Sequence, residues 1–213
     1  MSALGSIATA LASELIALAS PPRCASCEAR VGRRVVFCPA CARTIERAPV
    51  GLDAAEALFL YGGALSKAIT RFKYEDATHL ARPLAELLRQ ARTRLPVARA
   101  TMVVPVPLHR RRLADRGFNQ AALLAAPLAR DLGVRLDVRV LERIRDTSRQ
   151  ATLERTERLG NVEQAFAARR NLSGHHVLLV DDVCTTGATL RACSAELTRC
   201  GATVCNLVLA ITL

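Results

Sequence analysis

Thirteen consecutive residues constrain this 213-residue chain more than any others: Val177-Leu-Leu-Val-Asp181-Asp182-Val-Cys-Thr185-Thr186-Gly187-Ala188-Thr189. Four apolar residues in a row fit a strand covered on both faces, as in a parallel sheet. Such a strand is expected to end on the two carboxylates, at the edge where open α/β sheets bind ligands. The following loop turns straight into a helix, so its backbone N–H groups face outward at the positive end of a helix dipole. Small side chains let an anion approach and the threonine hydroxyls add donors. A phosphate is therefore expected at Thr185, Thr186, Gly187, Ala188 and Thr189. Asp181 and Asp182 stand too close to it to bind it themselves. They suit the hydroxyls of an attached sugar, or Mg²⁺ through water. The chain has neither the lysine of an ATP-type phosphate loop nor a GxGxxG dinucleotide fingerprint. The plain alternative is an ordinary strand–helix junction with capping residues.

The remaining pattern predicts the setting of that junction. Ala57–Tyr61 reads as a strand, then Leu65, Ile69 and Phe72 recur at helical spacing, as do Leu80, Leu84, Leu87 and Leu88. Met102-Val103-Val104 is a short buried strand stopped by Pro105-Val106-Pro107. A helix is predicted from Asn119 to Leu132, closed by Gly133, with a strand over Asp137–Leu141. A helix over Ala188–Cys200 and a strand over Thr203–Leu213 complete the series. Strands alternating with helices imply a doubly wound parallel α/β sheet. Residues 145–160 are polar without periodicity and read as a long loop.

The eight cysteines divide into two sets. Cys24-Ala-Ser-Cys27 and Cys38-Pro-Ala-Cys41 are paired knuckles whose thiolates at i and i+3 can face one ion, and four such ligands suit tetrahedral zinc. The intervening Val31, Val35 and Val36 around Gly32 predict a short β-hairpin, hence a zinc ribbon stabilised by its metal. A redox pair is the alternative, although that chemistry expects one motif beside a βαβ unit. Cys184, Cys193, Cys200 and Cys205 have no metal-ligand spacing. Cys193 and Cys205 read as small buried hydrophobes, and Cys184 as partly exposed in the phosphate loop.

Thirty Lys+Arg against 19 Asp+Glu give a net charge of +11, and only Lys67 and Lys73 are lysines. Such a balance attracts polyanions, whether nucleic acids or small polyphosphates, although a GC-rich genome would also enrich arginine. Apolar content of 51% excludes a disordered chain. Leu4, Ile7, Leu11, Leu15 and Leu18 predict an amphipathic N-terminal helix. Glu14 and the missing basic start argue against a secretory signal, and no stretch is long and apolar enough to span a bilayer. Reduced cysteines fit a cytoplasmic protein.

Residues 177–189 resemble the phosphoribosyl pyrophosphate signature of type I phosphoribosyltransferases. The resemblance implies that Asp181 and Asp182 hold the ribose hydroxyls and residues 185–189 the 5′-phosphate. It assigns the pyrophosphate loop to Val106, Pro107, Leu108 and His109. Further segments narrow the likeness: Pro105-Val-Pro107-Leu, then Arg112-x-x-x-Arg116-Gly117-Phe118-Asn119-Gln120. Arg145-x-Thr147-x-x-Gln150, Arg158-x-x-Asn161-Val162, Ala165-Phe166 and Phe72-Lys73-Tyr74 add to it. With the cysteine knuckles, the chain is similar to the ComF (ComFC/GntX) family. That resemblance implies residues 1–50 as an N-terminal helix and zinc ribbon, and residues 51–213 as a phosphoribosyltransferase-like domain.

It also implies structural zinc, Mg²⁺ with phosphoribosyl pyrophosphate or a nucleotide, and a part in natural transformation. There the partners would be incoming single-stranded DNA and the DNA-uptake machinery, at the inner face of the membrane. Arg112, Arg116 and Arg145 are the candidate catalytic residues, with Arg110 and Arg111 beside the diphosphate loop, or else on a solvated turn. Arg149, Arg155 and Arg158 belong to the loop that closes over such sites. An alternative is a small-molecule phosphoribosyltransferase of nucleotide metabolism with no DNA role; no acceptor pocket or general base stands out.

Overall fold

The computed structural model describes residues 22–75, 77–93, 95–145 and 165–213. The expected N-terminal helix and the residues of the predicted loop beyond Arg145 lie outside the described residues. So do Thr147, Arg149, Gln150, Arg155, Arg158, Asn161 and Val162 of the family pattern.

Five strands form one parallel sheet in the order β1-β7-β6-β2-β3: β1 (Glu56–Leu60), β2 (Met102–Pro105), β3 (Arg135–Leu136), β6 (His176–Cys184) and β7 (Thr203–Ile211). A separate antiparallel pair, β4 (Leu141–Arg143) and β5 (Phe166–Ala168), packs beside it. β6 is central. It pairs with β2 from Met102↔Val177 to Pro105↔Val180, and with β7 from His176↔Thr203 to Cys184↔Ile211. The strand thus runs through the acidic pair to Cys184 instead of stopping at it, because β7 continues to supply hydrogen-bond partners. On the β2 side the ladder closes with Val106 N–H donating to Val180 O at 2.8 Å.

Alternation along β6 sends Leu178 and Val180 to one face and Val177 and Leu179 to the other. The first face packs on α2 (Gly63–Tyr74), α3 (Ala81–Arg89) and α6 (Gln120–Leu132) through Leu65, Ile69, Leu84 and Leu124. The second packs on α7 (Ala188–Arg199) and the β4–β5 pair through Leu190, Leu197, Leu141 and Phe166. α6 has the predicted bounds. Asn119 Oδ1 accepts from the Ala121 and Ala122 amides at 2.9 and 3.3 Å, and Gly133 at φ 67° ends the helix. Pro83 sits in the first turn of α3, where its missing N–H costs no bond. No helix of the described residues is long and apolar enough to cross a membrane.

Two local expectations are corrected. Asp137–Leu141 is not a strand: the buried Asp137 Oδ1 accepts from the Arg139 and Val140 amides at 2.9 and 3.1 Å, folding a turn between β3 and β4. Burial opposes ionisation of that carboxyl, but those amides with Arg170 and Arg135 hold it below the usual carboxylate range. The valine hairpin is also absent. Residues 22–37 fold as turns with an isolated Arg23↔Arg30 bridge, and Arg34 lies at φ 67°.

The cysteine-bearing segment shares the main core. Cys24, Ala25 and Phe37 are buried with Leu58, Leu65 and Phe72, and residues 46–48 run antiparallel along β1. Thr44 Oγ1 accepts from the Ala64 amide at 2.9 Å, tying this segment to the start of α2. Gly63 at φ 49° makes that approach possible. A Cβ there would lie 2.1 Å from Thr44 O, whereas one at Gly62 would meet nothing within 4 Å. Gly63→Ala is expected to cost roughly 2 kcal/mol or more. That corresponds to a melting point lower by about 4–8 °C. Gly62→Ala should leave it within about 2 °C, and equal melting of the two variants would refute the close-approach role.

Candidate functional site

β6 delivers its carboxyl end to a loop whose shape depends on Gly187. This residue, at φ 72°, is the N-cap of α7, and a Cβ there would lie 2.8 Å from Arg191 Nη1. Arg191 Nη1 donates to Thr186 O at 2.9 Å, bracing the loop from within the first turn of α7. Asp181 and residues 183–190 line one concavity, so the loop expected to hold a phosphate and one of the two carboxylates face the same space. Sequence reading passed over Arg191. Its signal was a basic residue five positions beyond a loop threonine, among many other arginines. Cys184, expected to be partly exposed, is buried, and burial raises its thiol above the usual range.

The two acids do not share an environment. Strand alternation turns Asp182 toward α2, where Lys73 Nζ meets its Oδ2 at 2.5 Å. Asp182 is 2% exposed, and among the described residues this oxygen has no hydrogen bond besides that ion pair. Asp181 belongs to the opposite, α7 side. Its Oδ1 accepts from the Asp182 amide at 2.9 Å. Burial, then the neighbouring Asp182 charge, push the Asp181 carboxyl well above the ordinary range, and Lys73 only partly offsets them. An oxygen-only donor set suits a hard cation such as Mg²⁺. Lys73 already neutralises Asp182, which leaves Asp181 facing the concavity. The Phe72-Lys73-Tyr74 run carried the signal for this lysine, one of only two in the chain.

Val106, Pro107, Leu108 and His109 leave β2 beside Val180. Asn119 Nδ2 donates to Val106 O at 3.1 Å, so the cap of α6 also steadies this loop. His109 is the N-cap of α5 (Arg110–Arg116). Of the candidate arginines, Arg116 is held inward: its Nη1 donates to Gln120 Oε1 at 2.6 Å, and its guanidinium lies 5.2 Å from the Tyr74 ring centre. Arg112 and Arg145 are exposed, and the described residues show neither in an ion pair with the acidic pair. Arg110 and Arg169 both meet Glu142, beyond the loop.

The sulfurs of Cys24, Cys27, Cys38 and Cys41 all lie within 4.8 Å of one another, with Cys27 and Cys38 3.7 Å apart. Four thiolates about 2.3 Å from one tetrahedral zinc would stand about 3.8 Å apart, so the cluster fits that ion. Burial opposes ionisation of Cys24, but the amides of Cys27, Cys38 and Ser26 outweigh it and bring this thiol down to about 6. Burial and the neighbouring thiols push Cys41 up to about 12. Arg71 joins the cluster to the body, donating to Ala25 O at 3.1 Å and pairing with Glu28.

A phosphoribosyl transferase domain model matches residues 119–212. The chain is 33% identical over 194 residues to the DNA utilization protein YhgH of Salmonella typhi, covering 84% of this chain and 85% of that protein. Competence protein F of Haemophilus influenzae is 35% identical over 144 residues, covering 64% of this chain and 63% of that one. Among solved structures, orotate phosphoribosyltransferase from Aeropyrum pernix aligns over 79% of this chain and 76% of its own, at 20% identity and a TM-score of 0.38.

Because the cysteine cluster is built into the main core, removing its metal should weaken the whole body. The purified chain is expected to carry one zinc ion. Chelation, or Cys38→Ser with Cys41→Ser, should cost roughly 2 kcal/mol or more, about 4 °C or more in melting point. A chain without bound zinc, or one whose melting ignores its removal, would contradict this.

Proposed function

The chain belongs to the ComF family, and on that premise we propose that it binds phosphoribosyl pyrophosphate, or a related nucleotide, with Mg²⁺ and handles incoming single-stranded DNA in natural transformation. The observation that carries the ligand half is the single concavity lined by both Asp181 and the Thr185–Thr189 loop. Relatives named for DNA utilization and for competence, with the net charge of +11, support the DNA half. On this reading residues 1–50 are the zinc-bearing N-terminal part and residues 51–213 the phosphoribosyltransferase-like part of a protein working on the cytoplasmic side of the membrane.

In this reading the backbone amides of residues 185–189 receive the 5′-phosphate, with Arg191 fixing the loop before the ligand arrives. Asp181 accepts from the ribose hydroxyls, and Asp182 supports it from behind while paired with Lys73. Val106–His109 lie where the diphosphate would extend, close to α5. Arg112, Arg116 and Arg145 are the candidates to reach it. Mg²⁺, held through water by Asp181, would offset the diphosphate charge. If transfer occurs, the bond from the sugar carbon to diphosphate breaks as one to the acceptor forms. The protein then contributes positioning and charge stabilisation and needs no covalent intermediate.

Titration calorimetry with phosphoribosyl pyrophosphate and Mg²⁺ tests the ligand half. Wild-type protein is expected to bind. Asp181→Asn should weaken binding about tenfold or more, the loss expected for one charge-assisted hydrogen bond. Gly187→Ala should weaken it by misplacing the amides. Pyrophosphate release across a panel of bases then separates a binding protein from an active transferase. Equal affinities for wild type and both variants would refute the assigned ligand site.

A further inference from the structure

Arginines outside the ligand concavity form a connected row across the second, smaller sheet. Asp137, at the turn between β3 and β4, meets Arg135 at 3.1 Å and Arg170 at 2.7 Å. The next residue, Arg169, pairs with Glu142 on β4, and Arg110 reaches the same carboxylate at 2.8 Å from the first turn of α5. Arg139, exposed on the Asp137 turn, adds another guanidinium. Arg170 also lines an open concavity of about 310 Å³ with Asn171, Ser173 and Arg199. Arg199 pairs with Glu196 at 2.8 Å. Five guanidiniums thus share three carboxylates, with Arg139 exposed beside them. The side chains of Arg110, Arg135, Arg169 and Arg199 remain 83%, 65%, 65% and 64% exposed. Nothing in the fold requires so many bases here, since one arginine per acid would balance the charge.

We propose that this row, running from the start of α5 over β4–β5 to the concavity between Arg170 and Arg199, is a docking track for the phosphate backbone of single-stranded DNA. The proposal rests on the DNA half of the function proposed above and places that partner on a surface distinct from the zinc-bearing segment. Charge complementarity selects a polyanion. The row crosses two loops, a small sheet and a concavity, a path that a flexible single strand follows more easily than a stiff duplex. The whole chain carries five Phe, two Tyr and no Trp. Recognition on the track therefore runs through phosphates and is indifferent to base identity. One end adjoins the Val106–His109 loop, which Arg110 follows directly in the chain.

The test is fluorescence anisotropy of labelled oligo-dT on the full-length, zinc-loaded chain across a salt series. The track variant combines Arg135→Ser, Arg169→Ser and Arg199→Ser. Asp137 keeps Arg170, Glu142 keeps Arg110, and the melting point checks the fold. The charge-matched control combines Arg30→Ser, Arg43→Ser and Lys67→Ser on the zinc-bearing segment and α2. With about 0.7 of slope lost per phosphate contact on a single strand, the track variant should lower the salt slope by about 2 and the control should not. Oligo-dA should bind like oligo-dT, and a duplex of equal length should compete less well. If the control loses slope and the track variant does not, the surface is the zinc-bearing segment and the track is refuted, with DNA binding intact. Equal slopes in all three proteins, or better competition by duplex, also overturn it. No binding by the wild type overturns both the track and the DNA half of the proposed function.

Discussion

β6 loses one of its two neighbours at Val180, and the rest of the site follows from that. Up to this point β2 and β7 pair with it on both sides. Pro105 and Pro107 lack the N–H groups that would continue the β2 ladder, so the chain turns away after Val106. β7 keeps pace to Ile211 and holds Asp181–Cys184 in extended form. The departing strand runs into the Val106–His109 loop, while β6 runs into the turn to α7 that lines the concavity with Asp181. Asn119 secures the first of these by capping α6 and bonding Val106 O. Arg191 secures the second.

The same strand separates two carboxylates that sequence places side by side. A period of two turns Asp182 into the α2 layer and Asp181 toward α7. A buried carboxylate needs a partner, and Lys73 supplies a compact ammonium. Among the described residues no ion pair to Asp181 accompanies the Lys73–Asp182 pair, and Asp181 is desolvated and beside a negative charge. That environment favours a ligand bringing hydrogen-bond donors or a metal ion. It also links the site to the cysteine-bearing segment, because α2 carries Lys73, donates its Ala64 amide to Thr44 and reaches Ala25 O through Arg71.

Much of this was legible in the residues. Apolar runs identified β2, β6 and β7, and Asn119 and Gly133 marked the ends of α6, because strand burial and helix capping leave local signatures. The two cysteine knuckles pointed to a cluster that the structure brings together. Three things were not legible, two because they depend on distant chain and one because a single side chain overrides the local pattern. β6 continues past its acids only because β7 does. The Asp137 side chain substitutes for strand pairing with partners two and three residues away, so an apolar stretch becomes a turn. Cys24, Ala25 and Phe37 fold as turns instead of a hairpin because they bury against α2 and β1. The individual meanings of Lys73 and Arg191 were likewise hidden among the 30 basic residues until the fold set them against Asp182 and Thr186.

The most direct measurement is a crystal structure of the zinc-loaded protein with phosphoribosyl pyrophosphate and Mg²⁺. The expected result is a 5′-phosphate against the amides of residues 185–189, with the ribose hydroxyls on Asp181 and the diphosphate toward Val106–His109. A ligand bound elsewhere, with residues 181–189 empty, would contradict the central claim.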